Sequence, residues 1–192
     1  IETQEIPVKS IILSKDVPQF KSGANAATGV VEPLDGTFDP LGAGPILVWE
    51  RLNGDLELIS GRHRFDLAQR SGRETIGGQI VKESEGFTQA MAVTADAELN
   101  IRDNQGEVSD YANYFKHSGI SKEEAEQRGL LSRAKGRSGF VISSQGTDLV
   151  FRYHQAGQIT DAQAAAIAQA APGNEGLQTL GLDQINGGAS ID

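Results

Sequence analysis

Ser60-Gly61-Arg62-His63-Arg64 puts two guanidiniums, an imidazole and a glycine into five consecutive positions. Guanidiniums fork onto phosphate oxygens through paired N–H groups, and a glycine lets backbone approach a ligand closely. Before this stretch, Leu56, Leu58 and Ile59 alternate with Asp55 and Glu57, the pattern of a strand leaving a turn at Asn53-Gly54. After it, Phe65, Leu67 and Ala68 follow a helical pattern, with Gly72 just past the end. The five residues therefore fall where a strand becomes a helix N-terminus. Such a junction offers backbone N–H groups and the positive end of a helix dipole to an anion. Cations in a first turn oppose the dipole by about 0.3–1 kcal/mol each, and a bound phosphate would offset that cost. The competing interpretation is a solvated surface helix.

The elements that must position this junction follow in order. Ile6–Ile12 is expected as an edge strand with Pro7 near its start. Residues 22–44 are rich in Gly, Ala, Asp and Pro without sustained periodicity and predict a long loop. Pro45–Glu50 is nearly continuously apolar and predicts a central strand that Asn53-Gly54 turns back into Leu56–Ile59. A helix over Arg62–Arg70, a strand over Thr75–Val81 and a helix over Phe87–Asn100 follow, the last with Phe87, Met91, Val93 and Leu99 as core positions. Beyond it the pattern is helical: Tyr111, Tyr114 and Phe115 form an apolar face, and Ser121 with Glu124 forms a capping box for Lys122–Arg128. Leu130–Lys135 reads as a turn before a further helix over Gly139–Ser144, with Gly136 and Gly139 weakening that helix. Residues 161–171 and Leu177–Ile185 are the last helices.

With 192 residues the chain is long enough for one large domain or two small ones. Having no cysteine, it has no disulfide framework, thiolate metal site or Cys nucleophile, which suits a cytoplasmic protein. No run approaches the roughly 18 apolar residues of a membrane span. A start at Ile1 rather than Met leads us to expect a piece of a longer, multidomain chain. The net charge of −9 argues against a generally DNA-coating surface. Charge is uneven, however. Residues 82–110 carry two basic and seven acidic side chains, whereas 111–160 carry seven basic and four acidic. Any nucleic-acid contact is therefore expected from the second half, where Arg128, Arg133, Lys135 and Arg137 run without an acid. A basic surface loop is the alternative. His117 and His154 lack partners at metal-ligand spacing and are expected to be structural or solvated.

ELISGRHRFDLAQRSG resembles the signature of the ParB/sulfiredoxin superfamily, a strand followed by G-x-x-R and a helix of the form R-x-x-A-x-x-x-x-G. Gly61, Arg64, Ala68 and Gly72 fall on it, with one helical residue fewer than usual before the glycine. Ile6-Pro7-Val8 through Ile11 resembles the opening strand of ParB N-terminal domains. Gln19 and Lys21 stand near that family's Q-P-R loop, with Phe20 in place of the proline. Glu98 and Arg102 align with its E-N-x-x-R segment, with Leu99 where Asn is expected and Asn100 adjacent. Residues 119–141 resemble its helix-turn-helix block, and 149–164 the segment after it, with Gln163 replacing the usual His.

The resemblance implies an α+β fold: a mixed-sheet, nucleotide-binding domain over 1–106, then an all-helical domain over 107–188 with a helix-turn-helix-like core. It implies CTP or ATP bound with Mg²⁺. The nucleotide-binding residues would be Gln19, Lys21, Ser60, Gly61, Arg62, His63, Arg64, Asn100 and Arg102, with Glu98 holding the metal or orienting a water for hydrolysis. It implies DNA contact through Arg128, Arg133, Lys135 and Arg137, leaves a homodimer open, and points to a phage or plasmid source. The rival is a non-enzymatic DNA-binding adaptor. A small-molecule kinase of the same fold and a ParB-type nuclease rank behind it. Sulfiredoxin chemistry is excluded, because it needs a cysteine.

Overall fold

The computed structural model describes residues 1–17 and 23–188. The chain forms two compact units, Ile1–Asp96 and Ala97–Asp192, whereas the expected boundary followed residue 106.

The first unit is built on a five-stranded mixed sheet of order β1-β5-β3-β4-β2. The central strand, β3 (Ile46–Glu50), turns at Asn53-Gly54 into antiparallel β4 (Leu56–Ser60). Gly54 has φ +87°, the left-handed conformation that glycine supplies at little cost. Helix α1 (Arg62–Arg70) then carries the chain over to β5 (Thr75–Lys82), which lies parallel to β3. Apolar residues on both faces of β3 explain its unbroken hydrophobic run. One face packs Ile46, Val48 and Leu58 against Phe65, Leu67 and Ala68 of α1, and the other packs Trp49 and Ile59 against Val17 and Ala92.

The single strand expected over Ile6–Ile12 is two strands on opposite edges of the sheet. β1 (Thr3–Pro7) pairs antiparallel with β5, and β2 (Ile11–Leu13) pairs parallel with β4. Pro7, which has no N–H for a ladder, begins the break, and a 3₁₀ turn over Val8–Ser10 redirects the chain. Residues 23–44 form a loop without helix or strand. The Asn25 side chain accepts from the Ala27 and Thr28 N–H groups, and Ser71 Oγ accepts from Phe38 N–H at 3.0 Å.

Helix α2 (Gln89–Arg102) runs from the first unit into the second. Met91, expected in the core, is 49% exposed; the buried positions are Ala92, Asp96, Ala97, Glu98 and Ile101. The second unit continues with α3 (Val108–Ser118), α4 (Lys122–Gln127), α5 (Ala134–Gln145), α6 (Asp148–Gln155), α7 (Asp161–Ala170) and α8 (Glu175–Asn186). Tyr111, Tyr114 and Phe115 are buried on α3 as their spacing predicts. Ser121 caps α4 by accepting from Glu124 N–H, but the Glu124 carboxylate bonds to Arg128 instead of closing the box.

Helix α5 is longer than expected, because its glycines are contact points rather than weak links. A Cβ on Gly139 would lie 2.8 Å from Tyr111 Cβ and 3.0 Å from Ala112 N, so α5 approaches α3 at backbone distance. Fully buried Gln178 ties three elements together: it accepts from Thr147 N–H and donates to the carbonyls of Gln145 and Ala171, each at 2.8 Å.

Candidate functional site

In the first unit, β4 ends at buried Ser60 and α1 begins directly after Gly61. Gly61 has φ +99°, and a Cβ there would lie 2.6 Å from Ile46 Cγ2, so both conformation and space call for glycine. The N-cap residue, Gly61, has no side chain to cap the first turn of α1, and no acid stands in that turn. Half-buried His63 and Arg64 do. Arg64 Nη1 donates to Pro45 O at 2.8 Å, and its guanidinium lies 3.1 Å from where a Gly61 Cβ would be. Gly61, His63 and Arg64 thus gather at one strand-to-helix junction, as their spacing predicts.

Arg62 departs from expectation. It is only 6% exposed, and its Nη1 donates to Asp96 Oδ2 at 3.1 Å and Ile59 O at 3.2 Å. Nη2 donates to Val17 O at 3.4 Å. A buried guanidinium held this way is an interior ion pair, and removing one partner of such a pair typically costs about 3–5 kcal/mol. These bonds turn the Arg62 guanidinium toward the interior. It does border a cavity of about 350 Å³ walled by Leu13, Val17 and the 23–29 loop. Gly29, at φ +69°, lets that loop lie directly on the Arg62 side chain. Gln19 and Lys21 lie outside the described residues.

Glu98, Asn100 and Arg102 belong to the second unit. Glu98, expected to meet a metal or a water, is 8% exposed and accepts from Tyr114 OH and Arg128 Nη1, each at 2.6 Å. Burial, then the bond to Glu98, pushes the Tyr114 phenol far above its ordinary pKa. The Glu98 bond likewise raises the Arg128 guanidinium. Glu98 therefore brackets α2, α3 and the end of α4, with its carboxylate engaged by Tyr114 and Arg128. Exposed Arg102 donates to Glu98 O at 3.4 Å, and Asn100 O accepts from Tyr111 OH at 3.2 Å. Among the described residues no group of three His, Asp or Glu could hold a metal ion.

The four expected DNA contacts divide into two pairs. Arg128 is committed to Glu98 and Glu124, and Lys135 Nζ donates to Gly106 O at 2.9 Å. Arg133 and Arg137 are exposed at the start of α5, opposite its Gly136, Gly139 and Ile142 face. Arg137 Nη1 also donates to Leu131 O and Ser132 O, which fixes the turn between α4 and α5. Asp96 and Tyr114, the partners that redirect Arg62 and Glu98, were missed because they lie 34 and 16 residues away. Buried His154 is structural and has a carboxylate partner, Asp161, at 2.7 Å.

No family model matches the sequence, and no curated protein matches it. Among solved structures, the chain is similar to the C-terminally truncated chromosome-partitioning protein ParB from Caulobacter crescentus, complexed to the centromeric parS site. That match covers 97% of this chain and 94% of that chain, at 19% identity and a TM-score of 0.61. The same truncated protein complexed with CTP-γ-S matches over 96% and 99%, at 19% identity and a TM-score of 0.32, too low to carry weight. The chain thus has a ParB-like α+β fold.

Proposed function

We propose that this chain is a ParB-like nucleotide-binding, DNA-associated protein. The observation that carries this is the Gly61 junction. A helix start whose N-cap is a glycine, without a capping side chain of its own and without an acid in its first turn, has Arg64 held beside it. This is the arrangement that favours a phosphate chain. The ligand class is a nucleoside triphosphate, CTP or ATP. Its Mg²⁺ would be held by phosphate oxygens, because Glu98 is committed to Tyr114 and Arg128 and does not fit a metal role. Binding without an assigned hydrolytic residue brings this close to a non-enzymatic DNA adaptor.

DNA association is supported by the second unit. α4, the turn at 128–133 and α5 follow one another as a helix-turn-helix would, and α5 presents Arg133 and Arg137 outward. The similar ParB structure was obtained on its parS site, which favours the same partner class here. Fluorescence anisotropy with labelled duplex DNA tests this half. Arg133→Ala/Arg137→Ala should bind more weakly and lower the slope of log affinity against log salt by roughly 2. An unchanged affinity and slope would refute the α5 assignment.

A further inference from the structure

We propose that the helical unit carries a pocket for a small organic anion with an apolar body, separate from the nucleotide site and sharing Arg137 with the DNA assignment. A cavity of about 770 Å³ opens between α4, the turn after it, α5 and α7. That volume lies within the range of small-molecule sites, about 300–1,000 Å³. Half-buried Leu131, Phe140, Val141 and Ala165 give its wall an apolar part, beside polar Ser138, Gln145 and Gln169. Its rim is charged. Lys122 and Arg137 stand there with one carboxylate, Glu126, whose Oε1 lies 3.8 Å from Lys122 Nζ. Two cations against one acid leave the rim net positive.

The pocket is also preorganised. Gly136 and Gly139 seat α5 at backbone distance from its neighbours, and Phe140 meets Phe115 edge-on at 5.3 Å and 85°. Arg137 is fixed by the Leu131 and Ser132 carbonyls at 3.1 and 2.9 Å, so its charge is in place before a ligand arrives. A fixed cation above a rigid apolar wall selects a monoanion with an aromatic or branched hydrocarbon body, a carboxylate or sulfonate. A polyphosphate would bring several charges to a rim that sets two cations against the Glu126 carboxylate, and would leave the apolar part of the wall unused.

The test uses 8-anilinonaphthalene-1-sulfonate as the probe, titrated into the full chain and followed by its fluorescence. One saturable site per chain is expected. Ala165→Trp fills the cavity from α7 and should weaken binding by at least about tenfold. Lys122→Glu reverses one rim charge on an exposed side chain and should weaken it by about threefold or more. Each variant is compared with the wild type by circular dichroism, and if Ala165→Trp does not fold, Lys122→Glu alone decides. Wild-type probe affinity in the folded variants, or no saturable binding to the wild type, would overturn the proposal. DNA and nucleotide affinities do not enter the readout, so its failure leaves those assignments standing.

Discussion

Replacing Glu98 with alanine separates the two roles this carboxylate could have. The structure places it beneath buried Tyr114, whose OH donates to it at 2.6 Å, and beside Arg128, also at 2.6 Å. Truncation leaves the phenol O–H without that acceptor, which costs about 1–3 kcal/mol. The Arg128 side chain is 41% exposed, so solvent screening limits its share to about 1 kcal/mol or less. Relief of the carboxylate's own burial offsets part of this, giving a net loss of about 1–3 kcal/mol. For a chain of this length each kcal/mol moves Tm by roughly 2–4 °C, so Glu98→Ala should melt roughly 2–12 °C lower. Tyr114→Phe should cost less, about 1–1.5 kcal/mol, because Glu98 keeps Arg128. The double variant should be less destabilised than the sum of the singles by about 1 kcal/mol, since both remove the same bond. The assay is thermal and urea unfolding of all four proteins by circular dichroism. A Glu98→Ala protein that melts with the wild type, or singles that add, would refute the bracket.

Two further outcomes follow from the same structure. Gly139→Ala should be destabilised by roughly 1–2 kcal/mol in urea unfolding, even though alanine favours the helix by about 1 kcal/mol, because its Cβ meets α3 backbone; a stabilised variant would show that α5 does not sit tightly there. Burial, helped by Asp110, Glu107 and Asp103, pushes the Tyr111 phenol up to about 12. Its folded pKa exceeds the unfolded value of about 10, so its share of stability is full below pH ~10 and is lost as pH rises through 12. Phenolate absorbance should show Tyr111 still protonated at pH 11 in the folded chain, and titration near 10 there would contradict its burial.

The Gly61 junction was legible because it is local. Asn53-Gly54, the alternation over 55–59 and the Phe65, Leu67 and Ala68 spacing fix a hairpin and a helix within two dozen residues. What stayed hidden depends on partners far along the chain. Arg62 and Glu98 were each read as charges for a ligand because the sequence does not display Asp96 beside one or Arg128 beside the other. Gly136 and Gly139 looked like poor helix formers because propensity describes a helix alone, whereas here they permit close approach to Leu130 and α3. The split of Ile6–Ile12 into opposite sheet edges is likewise a tertiary choice, with only Pro7 as a local trace.

The measurement that bears most directly on the nucleotide assignment is calorimetric titration of the purified chain with CTP, ATP, GTP and ADP, each with Mg²⁺, repeated with Arg64→Ala. Arg64 is half-buried and bonds to Pro45 O, so circular dichroism of the variant accompanies the titration. Saturable binding of CTP or ATP by the wild type, weakened at least about tenfold in a folded Arg64→Ala protein, is the predicted result. Heat absent for every nucleotide, or equal affinity in the variant, would contradict a phosphate site at the Gly61 junction.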